Sequence, residues 1–368
     1  MRTVEQVIAA LQRPSGIERL ASPEYRHELA RTGRAMLAVE SFARHMSSEG
    51  WQLQEGLRLA GYTLHGCYGG EDLNRPGFTD FYTARLIINN QLGVAVVQDK
   101  REWDSKSPAC IEKQRDFYDT DQLREHPEIF RVTILKDAHQ QPTYHREAAD
   151  EIGCHAWITY YNPRIVCHLA PYVRPEHVIR TYHTLDRYQV PPLPMPGDGR
   201  KGCLISGAVG LTAYPLRTRL IKEQSKFGGS LTWLRHPGYH ANGHATPKYL
   251  KTMGRFRVAI CTSSIYAYSL RKIAEATACG CRVITDLPVD DEMPFIEENL
   301  HRIDSGESTE RIAELARELE SSYSVEQQRA LAFLAMSFYD YRDAGERLYN
   351  SIEEMSLEYN ERTNGLQS

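Results

Sequence analysis

Short apolar runs alternate with amphipathic segments in the first half of the chain. Continuous apolar runs predict buried strands, whereas apolar positions three or four residues apart predict helices that pack on a sheet. The predicted strands are Tyr62–Gly66, Gly93–Asp99, Arg131–Asp137, His155–Tyr160 and Ile165–Leu169. The predicted helices are a segment within residues 1–50 with an apolar stripe (Leu29, Met36, Leu37, Val39, Phe42), then Trp51–Ala60, Pro108–Tyr118 and Tyr144–Ile152. This alternation favours an α/β fold with a parallel, doubly wound sheet.

A second α/β series follows a proline-rich segment. Residues 187–201, RYQVPPLPMPGDGRK, contain four prolines and two glycines, which is typical of a linker. The predicted strands beyond it are Gly202–Gly207, Ser230–Leu234, Val258–Cys261 and Arg282–Thr285. The predicted helices are Tyr214–Lys222, one capped by Ser269 and ended by Gly280, Met293–Asn299, Ser308–Ser321, and Val325–Asn360 with a break near Tyr339–Asp343. We therefore expect an N-terminal domain over 1–190, a linker over 191–201 and a second domain over 202–368, whose last helices can cross back.

Composition is that of a soluble globular protein. The 368 residues are too many for one compact core and predict two domains. Hydrophobic residues make up 41% and charged residues 25%, no apolar run is long enough to span a membrane, and the N-terminus lacks the apolar core of a signal peptide. The eight cysteines include no C-x-x-C pair, so we expect reduced packing residues and a cytoplasmic location.

Charge is distributed unevenly, although the net charge is only −4. Between Gly199 and Lys272 there are thirteen lysines or arginines and one acid, Glu223. From Ile273 to Gln328 there are fourteen acids and four arginines. The basic segment favours an anionic ligand, and the alternative is that the two segments neutralise each other across an interface.

The segment Arg257–Asp286 reads as strand, loop, helix and strand. Small hydroxyl residues, free N–H groups and the Arg271-Lys272 pair come together where the helix is expected to begin. Such a point predicts an anion site, most naturally for a phosphate. The structural alternative is an ordinary connection with a solvated Arg-Lys pair.

The same segment resembles a known family. The string from Leu270 to Gly280, LRKIAEATACG, is similar to a motif in the nucleotide-sugar domain of GT-B glycosyltransferases, in particular of the CgeB-like group. Weaker matches are Leu204–Gly207, Tyr214–Arg217 and His236–Tyr239. The resemblance covers Ser206–Asp286 well, and the N-terminal half only in its strand–helix rhythm. It implies a GT-B fold, in which two Rossmann-like domains with parallel sheets face a central cleft, with helical additions at both chain ends.

The resemblance implies a metal-independent glycosyltransferase (hexosyl- or pentosyltransferase) that uses no cofactor. Its donor is a nucleoside diphosphate sugar, with a UDP-sugar favoured. Glu275 would accept hydrogen bonds from ribose hydroxyls, although a helix-surface position is the alternative. Arg271 or Lys272 would neutralise the diphosphate, and Arg217, otherwise a solvated helix residue, would add a second positive charge. The implied donor-binding residues are Ser206, Gly207, Arg217, His236, Ser269, Leu270, Arg271, Lys272 and Glu275.

One departure from the family concerns the chemistry. Many retaining members carry a glutamate eight positions before the one that matches Glu275, and this chain has Ala267 there. The stereochemical outcome is therefore left open. An inverting enzyme needs a base in the N-terminal half, and His183 and Asp186 near the linker are either cleft or hinge residues. The candidate bases, each also explicable as a structural or cleft-lining residue, are His65, Asp99 and Asp104.

No metal site is predicted, although two patterns suggest one. The histidines His236, His240 and His244 are four apart, but the intervening proline and glycines argue against the helix that would align them. We expect a mobile loop there, with His236 near the phosphate or sugar. Asp119-Thr120-Asp121 resembles the D-x-D of metal-dependent transferases, but it does not follow a strand and indicates a turn or helix cap.

The sequence leaves the acceptor and the activity open. A glycan, a protein side chain and a hydroxymethylated DNA base are all possible acceptors. The net charge disfavours tight binding to a DNA duplex, but the basic segment keeps a DNA acceptor possible. The second hypothesis is a catalytically inactive nucleotide-sugar-binding or interaction protein, since Ala267 replaces a glutamate and no base is evident. An NAD-linked oxidoreductase shares the fold class but requires a dinucleotide fingerprint, which the chain lacks.

Overall fold

The chain forms two compact units. The computed structural model describes residues 33–38, 49–66, 78–79, 92–97, 120–139, 142–235 and 245–365. The described residues from Tyr182 to Asp340 make up the second unit, and the first unit takes the described residues up to Thr181 together with those from Tyr341 onwards. The proline-rich segment 191–201 therefore lies within the second unit, and the last helix lies within the first.

The first unit is built on a parallel seven-stranded sheet. Its strands are β1 (Arg34–Ala38), β2 (Thr63–Gly66), β3 (Phe78–Thr79), β4 (Val94–Val97), β5 (Phe130–Ile134), β6 (Ala156–Thr159) and β7 (Val178–Arg180). Their order is β3-β2-β1-β4-β5-β6-β7. All side chains of β4 and β5 are buried, because both faces of a parallel sheet are covered. The helices are α1 (Glu49–Ala60), α2 (Thr120–Glu125), α3 (Pro142–Ile152), α4 (Pro163–Leu169) and α10 (Tyr341–Gly365).

The C-terminal helix α10 is an integral part of the first unit. It shares an apolar core with α1 and the central strands. Gly56 of α1 and Gly345 of α10 touch so closely that a Cβ on Gly345 would lie 2.3 Å from the backbone of Gly56. The buried guanidinium of Arg34 pairs with the carboxylate of Glu353. Backbone contact, apolar burial and an ion pair together hold the chain end on the sheet.

The second unit is built on a parallel five-stranded sheet. Its strands are β8 (Cys203–Ser206), β9 (Leu231–Leu234), β10 (Val258–Ile260), β11 (Arg282–Thr285) and β12 (Leu300–Arg302). Their order is β12-β11-β10-β8-β9. The helices are α5 (Pro215–Lys222), α6 (Ala245–Met253), α7 (Lys272–Ala278), α8 (Thr309–Ser321) and α9 (Val325–Tyr339). Helix α7 is rich in alanine and shares an apolar core with α9, so nearly all of it is buried.

The predicted doubly wound α/β fold is confirmed in both units. The predicted strands at Val94–Val97, Ala156–Thr159, Cys203–Ser206 and Arg282–Thr285 are present. The predicted helix break near Tyr339–Asp343 is also confirmed, because α9 ends at Tyr339 and α10 begins at Tyr341. The helix predicted at 108–118 lies outside the described residues.

The helical stripe predicted through Met36 and Leu37 is wrong. Arg34–Ala38 is a strand, and Ala35 pairs with Thr63 on one side and Ala95 on the other. Both Ala35 and Met36 are buried, although they point to opposite faces of the sheet. An interior strand has no polar face, so its apolar run also fits a helical period. The other residues of the stripe lie outside the described residues.

Two further element predictions need correction. The strand predicted at Ile165–Leu169 is the helix α4, because Asn162 accepts a hydrogen bond from the N–H of Arg164 (3.0 Å) and Pro163 begins the first turn. The helix predicted at Met293–Asn299 is reduced to one 3₁₀ turn at Glu297–Asn299.

Candidate functional site

The candidate site lies where the sheet of the second unit changes direction. The chain passes from β8 to β9 on one side of β8 and then to β10 on the other side. The loops that follow β8 and β10 therefore diverge, and ligands of open parallel sheets bind at such a point. Ser206 ends β8 and is followed by Gly207, and the loop after β10 carries the buried hydroxyl residues Thr262 and Ser263.

Helix α5 brings Arg217 to this point. The residue is 2% exposed. Its Nε donates to Oγ1 of Thr262 (3.1 Å), its Nη1 donates to the carbonyl oxygen of Ala208 (3.2 Å), and its Cζ lies 4.1 Å from the ring centre of Tyr214. Its Nη2 is buried and has no hydrogen-bond partner among the described residues. A guanidinium held in this way presents one unused nitrogen to an acceptor.

Lys272 adds a second cation beside the first. Its Nζ donates to the carbonyl oxygen of Ser206 (3.0 Å). A Cβ on Gly207 would lie 2.9 Å from that Nζ and 2.5 Å from Nη1 of Arg217. Gly207 also has a φ of +112°, which favours glycine, and any side chain there would displace the ends of both cations. Two positive charges therefore meet at a backbone without a side chain.

Neither cation is paired with a carboxylate among the described residues. Burial lowers the pKa of the Arg217 guanidinium, and burial together with the charge of Arg217 lowers the pKa of Lys272 to about 7. Asp286 attracts Arg217 and Glu275 attracts Lys272, although neither carboxylate forms a direct ion pair with these cations, and the Asp286 carboxylate accepts a hydrogen bond from the N–H of Ser263 (2.5 Å). Buried positive charges without a counter-ion are unfavourable. An anion at this point would supply the missing counter-charge.

A polar cluster around Glu275 lies beside these cations. Glu275 is 6% exposed on helix α7, and its Oε1 lies 3.0 Å from Nε of Arg271. The hydroxyl of Tyr249 lies 2.9 Å from Oγ of Ser206. Burial, and then the charge of Glu275, raise the pKa of Tyr249. The cluster places a buried carboxylate, held by an arginine, next to hydroxyl groups that can donate or accept.

The prediction that Ser269 caps the helix is wrong. Helix α7 begins at Lys272, and its N-cap residue is Arg271, whose side chain makes no capping hydrogen bond. The carbonyl oxygen of Leu270 accepts from the N–H of Ile273 (3.0 Å), so a turn separates Ser269 from the helix. The Ser269 hydroxyl is buried and has no hydrogen-bond partner among the described residues.

His183 and Asp186 are buried in the second unit and differ in their surroundings. Burial, and then the charge of Arg271, lower the pKa of His183 to about 3, while a hydrogen bond with the backbone of Ser269 opposes this shift. Asp186 accepts a hydrogen bond from the N–H of Tyr188 (3.1 Å) and caps a 3₁₀ turn. His183 is therefore a neutral neighbour of Arg271, and Asp186 has a structural role.

Of the candidate catalytic bases, the structure describes the backbone of His65 alone. The backbone of His65 occupies the third position of β2. Asp99, Asp104 and the donor-site candidate His236 lie outside the described residues, as does the rest of the histidine loop. Ala267 has a φ of +54°, which residues other than glycine rarely adopt. The roles of all these residues remain predictions.

Sequence reasoning missed Tyr249, because helix α6 was not predicted. Its signal was present: Tyr249, Leu250 and Met253 have helical spacing, and Pro247 lies in the first turn. Sequence reasoning also did not identify Asp286 as a site residue. Its position directly after β11, at the carboxyl edge of the sheet, would have marked it as a candidate.

Three solved structures resemble the fold of this chain. Sucrose-phosphate synthase from Thermosynechococcus elongatus is 10% identical, with a TM-score of 0.53 over 88% of this chain and 99% of that chain. A glycosyltransferase from Rickettsia africae is 10% identical, with a TM-score of 0.52 over 88% and 98%. HepE from Anabaena, in complex with UDP and glucose, is 11% identical, with a TM-score of 0.50 over 88% and 100%. No family model and no curated protein sequence matches the chain. These likenesses show that the chain has the GT-B fold.

Two observations concern metal ligands and membrane spans in the part of the chain that the structure describes. No three His, Cys, Asp or Glu side chains in this part are grouped so that they could hold a metal ion. No helix in this part is long and apolar enough to cross a bilayer. The cysteines Cys203 and Cys261 are free thiols, and burial raises the pKa of both.

Proposed function

We propose that this protein is a glycosyltransferase that moves a sugar from a nucleoside diphosphate sugar to an acceptor hydroxyl. The observation that carries the proposal is the pair of cations, Arg217 and Lys272, that meet at Gly207 without a carboxylate partner among the described residues. A diphosphate supplies the negative charge that this pair lacks. The GT-B fold supports the proposal, because its solved neighbours include a protein in complex with UDP and glucose.

In this proposal the two cations bind the diphosphate throughout the reaction. Negative charge builds up on the diphosphate as the bond to the sugar breaks, and fixed positive charge stabilises that transition state. Nη2 of Arg217 is the nitrogen available for a phosphate oxygen. The cations take the role that a metal ion has in other transferases, so the reaction requires no metal and no cofactor.

Glu275 is proposed to orient the nucleoside through its ribose hydroxyls. Its carboxylate is buried and already oriented by Arg271 (3.0 Å), which reduces the entropy lost on binding. UDP is the proposed nucleotide because it occupies the neighbour HepE. The acceptor, a glycan, a protein side chain or a hydroxymethylated DNA base, is proposed to bind the first unit, where His65, Asp99 and Asp104 are the candidate bases.

The test is release of nucleoside diphosphate from a panel of UDP-, GDP- and CMP-sugars, with and without candidate acceptors. The expected result is turnover with one donor class, unchanged by EDTA. Arg217→Met is expected to lower turnover by about a hundredfold or more, in line with the loss of one preorganised donor. Lys222→Met is the matched control, because Lys222 is an exposed cation on the same helix.

Two outcomes would contradict the proposal. If no nucleotide sugar binds, the donor site itself is wrong. If a nucleotide sugar binds but no acceptor or water ever receives the sugar, the protein is a nucleotide-sugar-binding protein without transferase activity. The alanine at position 267, where retaining relatives carry a glutamate, motivates this second candidate.

A further inference from the structure

A cavity opens at the amino ends of strands in the five-stranded sheet of the second unit. Its volume is about 780 Å³. It is lined by Gly202 before β8, Ser230 before β9 and Phe256 before β10, so it lies at the amino ends of these strands. The diphosphate site lies at their carboxyl ends, about 13 Å away along a four-residue strand. The two sites are therefore distinct.

Three exposed cations line this cavity: Lys201, Lys251 and Arg255. None of them forms an ion pair or a side-chain hydrogen bond with a described residue. The N–H of Lys201 donates to the carbonyl oxygen of Arg255 (3.3 Å), so the backbones of two of these residues are neighbours. Adjacent like charges repel each other unless an anion lies between them.

The carboxylates of the cavity do not neutralise these cations. Asp198 pairs with Nε of Arg200 (2.6 Å), and Oε1 of Glu320 accepts from the N–H of Gly202 (2.6 Å). Both acids are thus engaged in holding the backbone and the buried Arg200. The potential inside the cavity is therefore positive.

One wall of the cavity is the proline-rich segment, and it is firmly attached. Arg200, 7% exposed, donates from Nη2 to the carbonyl oxygen of Pro192 (3.0 Å) and from Nη1 to that of Cys279 (2.5 Å). A Cβ on Gly254 would lie 2.8 Å from Cγ of Pro191, and a Cβ on Gly280 would collide with Pro194. The wall needs no ordering before a ligand binds, and such preorganisation favours affinity.

The proline-rich wall and the turn before β10 are apolar enough to hold an organic group. Leu193 and Met195 come from the proline-rich segment, and Phe256 comes from the turn before β10. A volume of this size is in the range of small-molecule sites, which combine apolar walls with a few charged groups. A bare inorganic anion would leave these walls in contact with water.

We propose that this cavity is a second ligand site, which binds a small organic phosphate such as a sugar phosphate. The phosphate lies against Lys201, Lys251 and Arg255, and the organic group lies against the proline-rich wall. The inference is independent of the transferase activity, because it uses none of the residues of the diphosphate site. A phosphate group has three acceptor oxygens for the three cations, which is why an organic phosphate is the proposed ligand.

The test is calorimetric titration with glucose 6-phosphate as the probe, with glucose and inorganic phosphate as comparisons. We expect saturable binding of glucose 6-phosphate that is stronger than that of either comparison. Lys251→Ala/Arg255→Ala is expected to weaken it by about tenfold or more, since two charge-assisted contacts are lost. Both residues are exposed, so the fold is retained, and an unchanged melting temperature checks this.

Two controls localise the binding. Lys248→Ala removes an exposed cation of the same helix outside the cavity lining and is expected to leave affinity unchanged. Lys272→Met removes a cation of the diphosphate site and is also expected to leave it unchanged. Absence of saturable binding by glucose 6-phosphate would overturn the proposal. The proposal would also be overturned if the double variant bound glucose 6-phosphate as tightly as the parent, or if Lys272→Met lost as much affinity for it as the double variant.

Discussion

Binding of UDP is predicted to take up a proton at Lys272. Burial and the neighbouring Arg217 lower the pKa of Lys272 to about 7 in the free protein. A bound diphosphate places negative charge beside Nζ, which raises this pKa towards its ordinary value. The free protein must therefore gain a proton when it binds UDP above pH 7, and affinity must fall as the pH rises.

The magnitude follows from the protonated fraction of the free protein. With a pKa of about 7, Lys272 is about half protonated at pH 7 and about 1% protonated at pH 9. If only the protonated form binds well, the Kd for UDP rises about fiftyfold between these pH values, or about 2.3 kcal/mol. The terminal phosphate of UDP titrates near pH 6, so it stays ionised over this range.

Calorimetry at pH 7, 8 and 9, in two buffers of different ionisation enthalpy, measures both the Kd and the number of protons taken up. The expected uptake is about half a proton at pH 7 and about one at pH 9. Lys272→Arg is the matched variant, because arginine stays charged over the whole range and should bind UDP with little pH dependence. If the parent protein binds UDP equally at pH 7 and pH 9, without proton uptake, Lys272 does not gain a proton when UDP binds.

Three further predictions concern single residues. Gly207→Ala is expected to abolish UDP binding, because the new Cβ would lie 2.5 Å from Nη1 of Arg217; Gly210→Ala, also at positive φ but in open space, should bind normally in the same titration. Gly345→Ala is expected to lower the free energy of unfolding by about 1–3 kcal/mol, because its Cβ would overlap the backbone of Gly56; an unchanged denaturation midpoint would argue against this contact. Asn162→Ala is expected to destabilise helix α4 by about 1 kcal/mol through loss of its N-cap, whereas Asn162→Asp should retain most of the stability in urea unfolding.

Several strands of both sheets could be predicted because they are short and fully buried. Runs such as Val94–Val97 and Val258–Ile260 have no polar alternation, and this pattern is typical of the interior of a parallel sheet. The same property explains the error at Ala35 and Met36. Where both faces of a strand are apolar, a helical period fits the run equally well, and only pairing with β2 and β4 decides between them.

Some residues of the candidate site, among them Arg217 and Lys272, were suggested by the sequence, but their geometry was not. The basic segment and the string around Glu275 identified Arg217 and Lys272 as possible anion ligands. That both meet at Gly207, with no carboxylate paired with either of them among the described residues, depends on how α5 and α7 pack against β8. Local pattern also misplaced Ser269, since a serine before an apolar run resembles an N-cap even when one more turn precedes the helix.

The cavity of the second proposed ligand site has no sequence signature. Lys251 and Arg255 lie four residues apart at the end of α6, and Lys201 precedes β8, so the three cations meet only when β8 and β10 pair. The proline-rich wall was interpreted as a linker from its composition alone. Its attachment through the buried Arg200 is a tertiary feature, which composition cannot show.

Arg217 is expected to be required for the binding of a nucleoside diphosphate by the second unit. Thermal unfolding with and without UDP tests this, because a ligand at about a hundred times its Kd stabilises the folded state by about 2.7 kcal/mol. We predict that UDP raises the Tm of the parent and of Lys222→Met, and leaves the Tm of Arg217→Met unchanged. If no nucleotide or nucleotide sugar raises the Tm of the parent, the second unit does not bind a nucleoside diphosphate. If UDP raises the Tm of Arg217→Met equally, Arg217 is not part of the binding site.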